Sequence, residues 1–464
     1  MAAYIEPRIL KGFRDFLPNA EIVRRGLTDK IENIFRLFGF VPIDTPAVEY
    51  AEILLGKGGG ETEKQIYRFK DNGERDVALR FDLTVPFARY TALHKNELAF
   101  PFKRYHIGKV WRGENTQRGR YREFTQCDFD IIGSDSAASD LEILLLIRTV
   151  FLNLGLDVSI RVNHRGLFNL FLARNGLAEK SGDILRAVDK LLKTGENETR
   201  ICLTEIAGKE NADKILEYTG AKGSFSNVLD HLTKLTGGES PHSRRLADIF
   251  RFTREACHEV SSARNADYEK RHDGNEDIFI LDPSITRGLD YYTGLVFETF
   301  LNELPEIGSI CSGGRYDNLA GLYSKDKDSI SGVGSSIGLD RLLSALESLN
   351  KLPEAAVCPA AVACVDSEKS GQYQALAGKF RRSGVPCEVF FEETGDKTDK
   401  RLVKQFILAE KKGMRYVLIT GDDPLNGRLT LRDLAERRNI DLSVDEAAAF
   451  IKEKYLAGKI TGDN

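Results

Sequence analysis

Between positions 105 and 132 the chain gathers Arg112, Arg120, Arg122, Glu123, Gln126, Asp128 and Asp130 among residues that are otherwise largely apolar or aromatic. Guanidinium groups neutralise phosphate and carboxylate oxygens, while carboxylates and an amide carbonyl accept from ammonium or imidazole N–H groups. Any one of these arginines taken alone is better explained by a solvated surface ion pair, which is common and adds little to stability. The spacing of Gln126, Asp128 and Asp130 argues for more. Steps of two send them from one face of a strand, with Phe129 and Ile131 on the other. A buried face that collects carboxylates, an amide and arginines needs a ligand to satisfy it.

The elements that must position this set can be read around it. Tyr105 to Trp111 and Tyr121 to Ile132 read as the arms of a hairpin, and Gly113 to Gly119 between them is turn chemistry throughout. Upstream, Leu79 to Leu93 predicts a short strand carrying Arg80, Asp82 and Thr84 on one side, then a helix with Pro86 near its start; capping of the strand end by Asp82 and Thr84 is the plain alternative. Downstream, Arg287 to Phe300 reads as strand, so that Tyr291 and Tyr292 face opposite ways and one of them lines a pocket. Ser312 to Asp317 reads as a glycine turn open to close backbone approach. Ser331 to Leu349 passes from a glycine-rich strand into a helix with Arg341 in its first turns. Such glycines let a flat ligand lie against the strand, and a helix start with an arginine favours phosphate.

The 464 residues suffice for two or three domains, and 42% hydrophobic with 29% charged residues is ordinary globular composition. A net charge of -4 excludes a whole-protein basic field, so a nucleic acid would have to be held by local patches. The seven cysteines show no CxxC spacing, and Cys257-His258 lacks a second ligand set. This predicts a reduced protein with thiols packed as small apolar groups and no protein-ligated metal. There is no apolar leader at the N-terminus and no apolar run of membrane-spanning length, which predicts a cytoplasmic protein.

Taken in order, a helical stripe runs from Val23 to Phe38, followed by a strand start at Phe40 to Pro46 whose prolines favour an edge, and by a helical Val48 to Leu55. Strand signals vanish from about 180 to 265, predicting a helical insertion that leans on a partner, with an ordinary helical subdomain of the core as the alternative. After a linker at Lys351 to Glu354, strands and helices alternate as in a small α/β domain. A solvated helix face explains most of its basic residues, Lys397, Lys400, Arg401, Lys404, Lys411, Lys412, Arg428, Arg432, Arg437 and Arg438, while an RNA surface would explain their collection in one domain.

The stretch FKRYHIGKVWRGENTQRGRYREFTQCDFDIIG resembles motif 2 of the class II aminoacyl-tRNA synthetases, and GRYREFTQCDFDIIG is similar to the form found in the histidyl-tRNA synthetase family. RGLDYY from Arg287 and SGGRYD from Ser312 match that family's two histidine-binding motifs. Residues 40 to 55 resemble motif 1 and 331 to 349 motif 3, in the family's order. The resemblance implies an α+β multidomain fold: a class II antiparallel-sheet catalytic core over 1–355 with the helical insertion, and an α/β anticodon-binding domain over 356–464. It implies ATP with Mg2+, histidine and histidine tRNA as substrates and partners, and a homodimer through motif 1. Arg112 and Arg287 would act at the α-phosphate and substrate carboxylate, with Arg120 and Arg341 on ATP. Asp82, Thr84 and Gln126 would hold the amino group, with aspartate at 82 where the family usually has glutamate. Asp130, Tyr291, Tyr292 and Tyr316 would surround the imidazole, and Asn115 and Gln117 would meet the tRNA acceptor end. A paralogue without catalysis, sensing histidine or tRNA as a regulatory subunit, is the alternative.

Overall fold

The computed structural model describes residues 4–56, 61–261, 279–286, 291–324, 330–352, 358–391, 398–421, 423–425 and 427–460. Arg287 and Lys397 lie outside them. The chain divides into two compact units, one of Met1–Arg14 with Leu27–Lys351, the other of Asp15–Gly26 with Leu352–Asn464.

The first unit is built on an eight-stranded sheet in the order Val41–Pro42, Phe102–Trp111, Glu123–Ile132, Gly332–Gly338, Cys311–Tyr316, Leu295–Leu301, Val158–His164, Phe279–Leu281. Every pairing inside it is antiparallel, but each edge strand is added in parallel. The expected antiparallel core is therefore a mixed sheet at its margins. Val41-Pro42 does sit at an edge, as a proline that cannot donate to a ladder requires. Val48–Tyr50, expected to be helical, is instead a short strand paired with Asp76–Leu79, and the helix begins only at Ala51. Two β-branched or aromatic residues in three favour that pairing.

The expected hairpin forms, with its first arm starting earlier, at Phe102, and its second later, at Glu123. Phe102 stands opposite Ile132 and Trp111 opposite Glu123. Cys127, Phe129 and Ile131 enter the main apolar cluster on one face, packed with Phe35, Ile143, Ile147 and Val162. The helix Ala137–Asn153 covers this face, started by Ser136, whose hydroxyl accepts from the Ala138 amide at 3.2 Å. On the other face lie Arg104, His106, Gln126, Asp128 and Asp130, all buried, and beyond them the strand Gly332–Gly338 turns Gly334, opposite Asp130, and Ser336, opposite Asp128, to the same side.

From Ser181 to Ser261 the described chain is helical. Its stripe residues Ile184, Val188, Leu232, Leu246 and Ile249 join the same cluster as the sheet. The insertion thus buries these stripe residues in the chain's own core, as an ordinary helical subdomain does.

In the second unit, Cys387–Val389, Ala360–Val362 and Tyr416–Thr420 run parallel, and Arg428–Asp433 and Arg438–Ser443 continue the sheet antiparallel. Helices Ser370–Arg382 and Val444–Ile460 bury residues on one side and Thr398–Lys411 on the other.

Candidate active site

The polar face of the hairpin is closed on one side by the segment Arg80–Thr84. The strand before it ends at Leu79, so Arg80 and Asp82 lie in the connection to the helix Thr84–Leu93 and Thr84 is that helix's first residue; none of the three is in a strand. Four contacts pin this connection to the hairpin: Trp111 N donates to Arg80 O at 3.0 Å, Arg80 Nε to Lys109 O at 3.0 Å, Arg112 Nε to Phe81 O at 2.8 Å, and Arg104 Nη2 to Leu83 O at 3.3 Å. Asp82 is thereby delivered to the pocket. Its Oδ1 accepts from Val85 N at 3.1 Å, while its Oδ2 is buried without a hydrogen-bond partner among the described residues. A local backbone contact thus accounts for one oxygen of Asp82 and not for the other.

Two further acceptors are orphaned in the same way, Gln126 Oε1 and Asp128 Oδ1. Gln126 spends its amide donor on Ser336 Oγ at 2.9 Å, which leaves the carbonyl free to accept. Burial raises the Asp82 carboxyl to about 6 and Asp128 to about 7, although the Arg104 charge opposes both shifts. Three buried acceptors next to one another cost free energy unless a donor-rich cation enters.

Asp130 is held from both sides. Tyr316 Oη donates to its Oδ1 at 2.6 Å, and Arg104 Nη2 lies 2.6 Å from Oδ2, an ion contact whose angle falls outside hydrogen-bond geometry. Burial raises the Asp130 carboxyl and drives the Tyr316 phenol well above its usual range. The close approach requires glycine at 334, where a Cβ would stand 1.9 Å from Asp130 Oδ1. The space above the glycine strand, expected to take a flat ligand, is occupied there by the chain's own carboxylate. Ser312 to Tyr316 likewise proves to be strand and not turn.

Tyr291 and Tyr292 precede the strand, which begins at Leu295, so the predicted opposition does not arise. Their rings lie 4.7 Å apart, and Tyr291 also meets Tyr316 edge-on at 6.3 Å. All three tyrosines gather at one end of the pocket.

The arginines collect at the other end. Glu114 sits between Arg112, at 3.8 Å, and Arg120, at 3.4 Å. Arg341, in the first turn of the helix Leu339–Ser348, donates to Ser309 O. Burial lowers its guanidinium to about 10, and the charges of Arg120 and Arg112 push the same way. Like charges crowded in a partly buried site await an anion. Asn115 and Gln117 are exposed in the loop between, and Gln117 exchanges backbone hydrogen bonds with Arg120. The loop and the N-terminal Gly12 and Phe13 line a cleft of about 270 Å³ with Gln117, Arg120 and Tyr121.

Sequence reasoning missed Arg104, which is fully buried, and His106, held neutral by burial at about 3 with Nε2 3.0 Å from Asp44. The signal was present: Arg104 shares parity with Asp130 across the hairpin. It also left Asp128, and Arg315 within SGGRYD, without a role of their own, and passed over Asp140, whose pairing with Arg315 joins residues far apart in the chain.

The geometry thus joins a cation-seeking pocket to an anion-seeking one, and relatives agree on what such a chain is. The family model described as Histidyl-tRNA synthetase matches residues 12–342, and that described as Anticodon binding domain matches 359–454. The histidine-tRNA ligase of Treponema denticola is 47% identical over 97% of this chain and 99% of its own length. That of Rhodopirellula baltica is 44% identical over 95% and 96%. Among solved structures, the histidyl-tRNA synthetase of Nostoc sp. PCC 7120 is similar with a TM-score of 0.78 at 31% identity, covering 97% of this chain and all of that one. On this breadth of identity and on both matched domains, the chain belongs to the histidyl-tRNA synthetase family.

Proposed function

We propose that the chain joins histidine to its tRNA in two steps at this site, with ATP as the energy source. A histidine carboxylate oxygen attacks the α-phosphorus of ATP; the bond to pyrophosphate breaks and histidyl-adenylate forms. A 3'-terminal ribose hydroxyl of the tRNA then attacks the activated carbonyl, and AMP leaves. The first nucleophile is already anionic, so the site needs no base for it. It must hold the reactants in line and neutralise charge on phosphorus.

The single observation that carries this reading is the set of orphaned acceptors on Asp82, Gln126 and Asp128 beside a cluster of arginines. An α-ammonium group has three N–H donors for such acceptors, and Thr84, half-buried at the helix start, adds a hydroxyl. Asp130 and Tyr316 would grip the imidazole, with Tyr291 and Tyr292 packed around it. Arg112 lies next to Asp82 and is assigned to the α-phosphate, joined by Arg287; Arg120 and Arg341 take the outer phosphates. Mg2+ accompanying ATP would relieve phosphate charge. Glu114 and Glu298, whose charges both act on Arg341, are the carboxylates suited to it, and a magnesium ion carried by phosphate oxygens needs no more than one or two. No group of three or more metal-ligating side chains occurs among the described residues.

The segment 356–464 is read as the anticodon-binding domain, 1–355 as the catalytic domain with its insertion, Asn115 and Gln117 as acceptor-end contacts, and the assembly as a cytoplasmic homodimer. No helix among the described residues is long and apolar enough to cross a membrane. The regulatory alternative finds no support in the relatives, and Arg112, Arg120 and Arg341 are all retained. Charging of histidine tRNA with labelled histidine tests the reading. Acid-precipitable product that requires ATP, histidine and that tRNA is expected. Histidine binding without product would overturn it in favour of a sensor.

A further inference from the structure

Behind the pocket, on the opposite face of the strand Cys311–Tyr316, Arg315 is 2% exposed and wholly committed. Its Nε and Nη2 donate to Asp140 Oδ1 at 2.9 and 2.7 Å; Nη2 also reaches Ser139 Oγ at 2.9 Å, and Nη1 reaches Ser134 O at 3.1 Å. Asp140 is fully buried in the first turn of the helix Ala137–Asn153. Its other oxygen, Oδ2, accepts from Arg245 Nε at 2.6 Å, and Arg245 Nη1 holds Asp135 at 3.0 Å. Arg245 lies on Pro241–Ser261, the last helix of the insertion. One carboxylate therefore holds the pocket strand with one oxygen and the insertion with the other.

The docking of that helix is fixed beside the same point. The His242 ring packs 4.7 Å from the buried His164 ring, and a Cβ at Gly166 would stand 2.6 Å from His242. A shift of the helix is thus opposed by packing as well as by charge.

We propose that Arg245 is a positioning residue for histidine recognition. Through Asp140 it fixes Arg315, and Arg315 sets the strand position from which Tyr316 reaches Asp130. The chain of contacts is continuous: Arg245, Asp140, Arg315, then one peptide unit to Tyr316, then Asp130. A buried carboxylate that loses one of two guanidinium partners re-forms its bonds with the other, and Arg315 is the group that would move. The insertion then acts on histidine affinity without touching histidine. This inference rests on the assignment of Asp130 and Tyr316 to the imidazole.

The test measures KM for histidine and for ATP by pyrophosphate exchange in the full chain and in Arg245→Ala, Arg245→Lys, Tyr316→Phe and the double variant Arg245→Ala/Tyr316→Phe. Arg245→Ala is expected to raise the histidine KM about 10-fold, the scale of coupling carried by such networks, with the ATP KM within about 2-fold of the parent. Arg245→Lys, which keeps the charge, recovers part of the loss. In the Tyr316→Phe background Arg245→Ala adds less than about 2-fold, because residues acting through one another are not additive. Where Arg245→Ala does not yield folded protein by circular dichroism, Arg245→Gln and Arg245→Lys replace it in the same cycle. An unchanged histidine KM in Arg245→Ala, equal rises in both KM values, or full additivity overturns the proposal while Tyr316→Phe still raises the histidine KM. If Tyr316→Phe itself leaves that KM unchanged, the pocket assignment falls and this proposal with it.

Discussion

The Tyr316 hydroxyl donates to Asp130 Oδ1 at 2.6 Å across a strand whose Gly334 leaves room for the carboxylate and for nothing else. The pairing fixes Asp130 against the floor of the pocket.

Gly334→Ala puts a methyl group into the Asp130 carboxylate, and the clash must be relieved by moving Asp130, since Phe129 O lies 2.9 Å away on another side. Histidine affinity is expected to fall at least about 10-fold, as a site built to hydrogen-bond its ligand discriminates steeply when one partner is displaced. ATP affinity stays near the parent value. Calorimetry with each ligand measures the split, and an unchanged histidine affinity would remove Asp130 from the pocket.

Histidine binding should release protons near pH 6.5. Asp82 and Asp128, raised to about 6 and about 7 by burial, are partly protonated in the empty pocket, and an incoming ammonium group favours their ionised forms. Affinity therefore rises with pH through that range. Calorimetry in two buffers of different ionisation enthalpy counts the protons. Asp128→Asn should release fewer, and because free histidine titrates identically in both experiments, the difference belongs to Asp128. Equal release would place Asp128 away from the ligand.

Acid stability should depend on His164. Burial holds its ring near 3 in the fold, against an ordinary value near 6.5. Between those values the unfolded chain binds a proton that the folded chain does not, so stability rises with pH there and is lost as pH falls below 6.5, by up to about 1.4 kcal/mol per pH unit for one group. His164 also caps the helix Arg165–Arg174 by accepting from Gly166 N at 3.1 Å, a contact that asparagine can keep. His164→Asn is thus expected to flatten the acid limb of urea midpoints between pH 4 and 6.5. An unaltered slope would show that another group controls it.

Much of this site was legible because period-two alternation is a strong constraint: once Phe129 and Ile131 are core, Gln126, Asp128 and Asp130 must share the other face. Position along the chain was read less well. Aromatic residues suit strands, so Tyr291 and Tyr292 read as strand, but the ladder starts only at Leu295, and before it the two rings meet. Arg104 was passed over because a basic residue beside Lys103 looks like solvated surface; only the tertiary fold, with Phe87 4.3 Å under its guanidinium, buries it. Arg438–Ser443 is harder to read as a strand because it is exposed or half-exposed along its length and its alternation rests on two apolar residues alone, Ile440 and Leu442, which pack against the core of the unit. Asp140, Arg245 and Arg315 lie in three separate segments, and no local pattern announces their meeting.

In the second unit, Arg428 and Arg432 stand on the solvent-facing side of their strand, while Lys412 and Arg438 pair with Glu388 and Glu436. Arg428→Glu with Arg432→Glu is expected to raise the KM for tRNA about 10-fold or more and to lessen its salt dependence, since each phosphate contact adds to the slope. Pyrophosphate exchange without tRNA should not change. An unaffected tRNA KM would move the RNA surface elsewhere on the unit.

Histidine-dependent exchange of labelled pyrophosphate into ATP, run on the parent chain beside Arg112→Ala, tests most directly whether the acceptor pocket and the arginine cluster form one adenylating site. The parent should exchange with histidine and with no other amino acid at comparable rate. Arg112→Ala should bind histidine nearly as the parent does yet exchange about 10² to 10³ times more slowly, the cost of removing a preorganised donor to a developing charge. Exchange by Arg112→Ala at the parent rate, or no histidine-dependent exchange by the parent, would contradict the account.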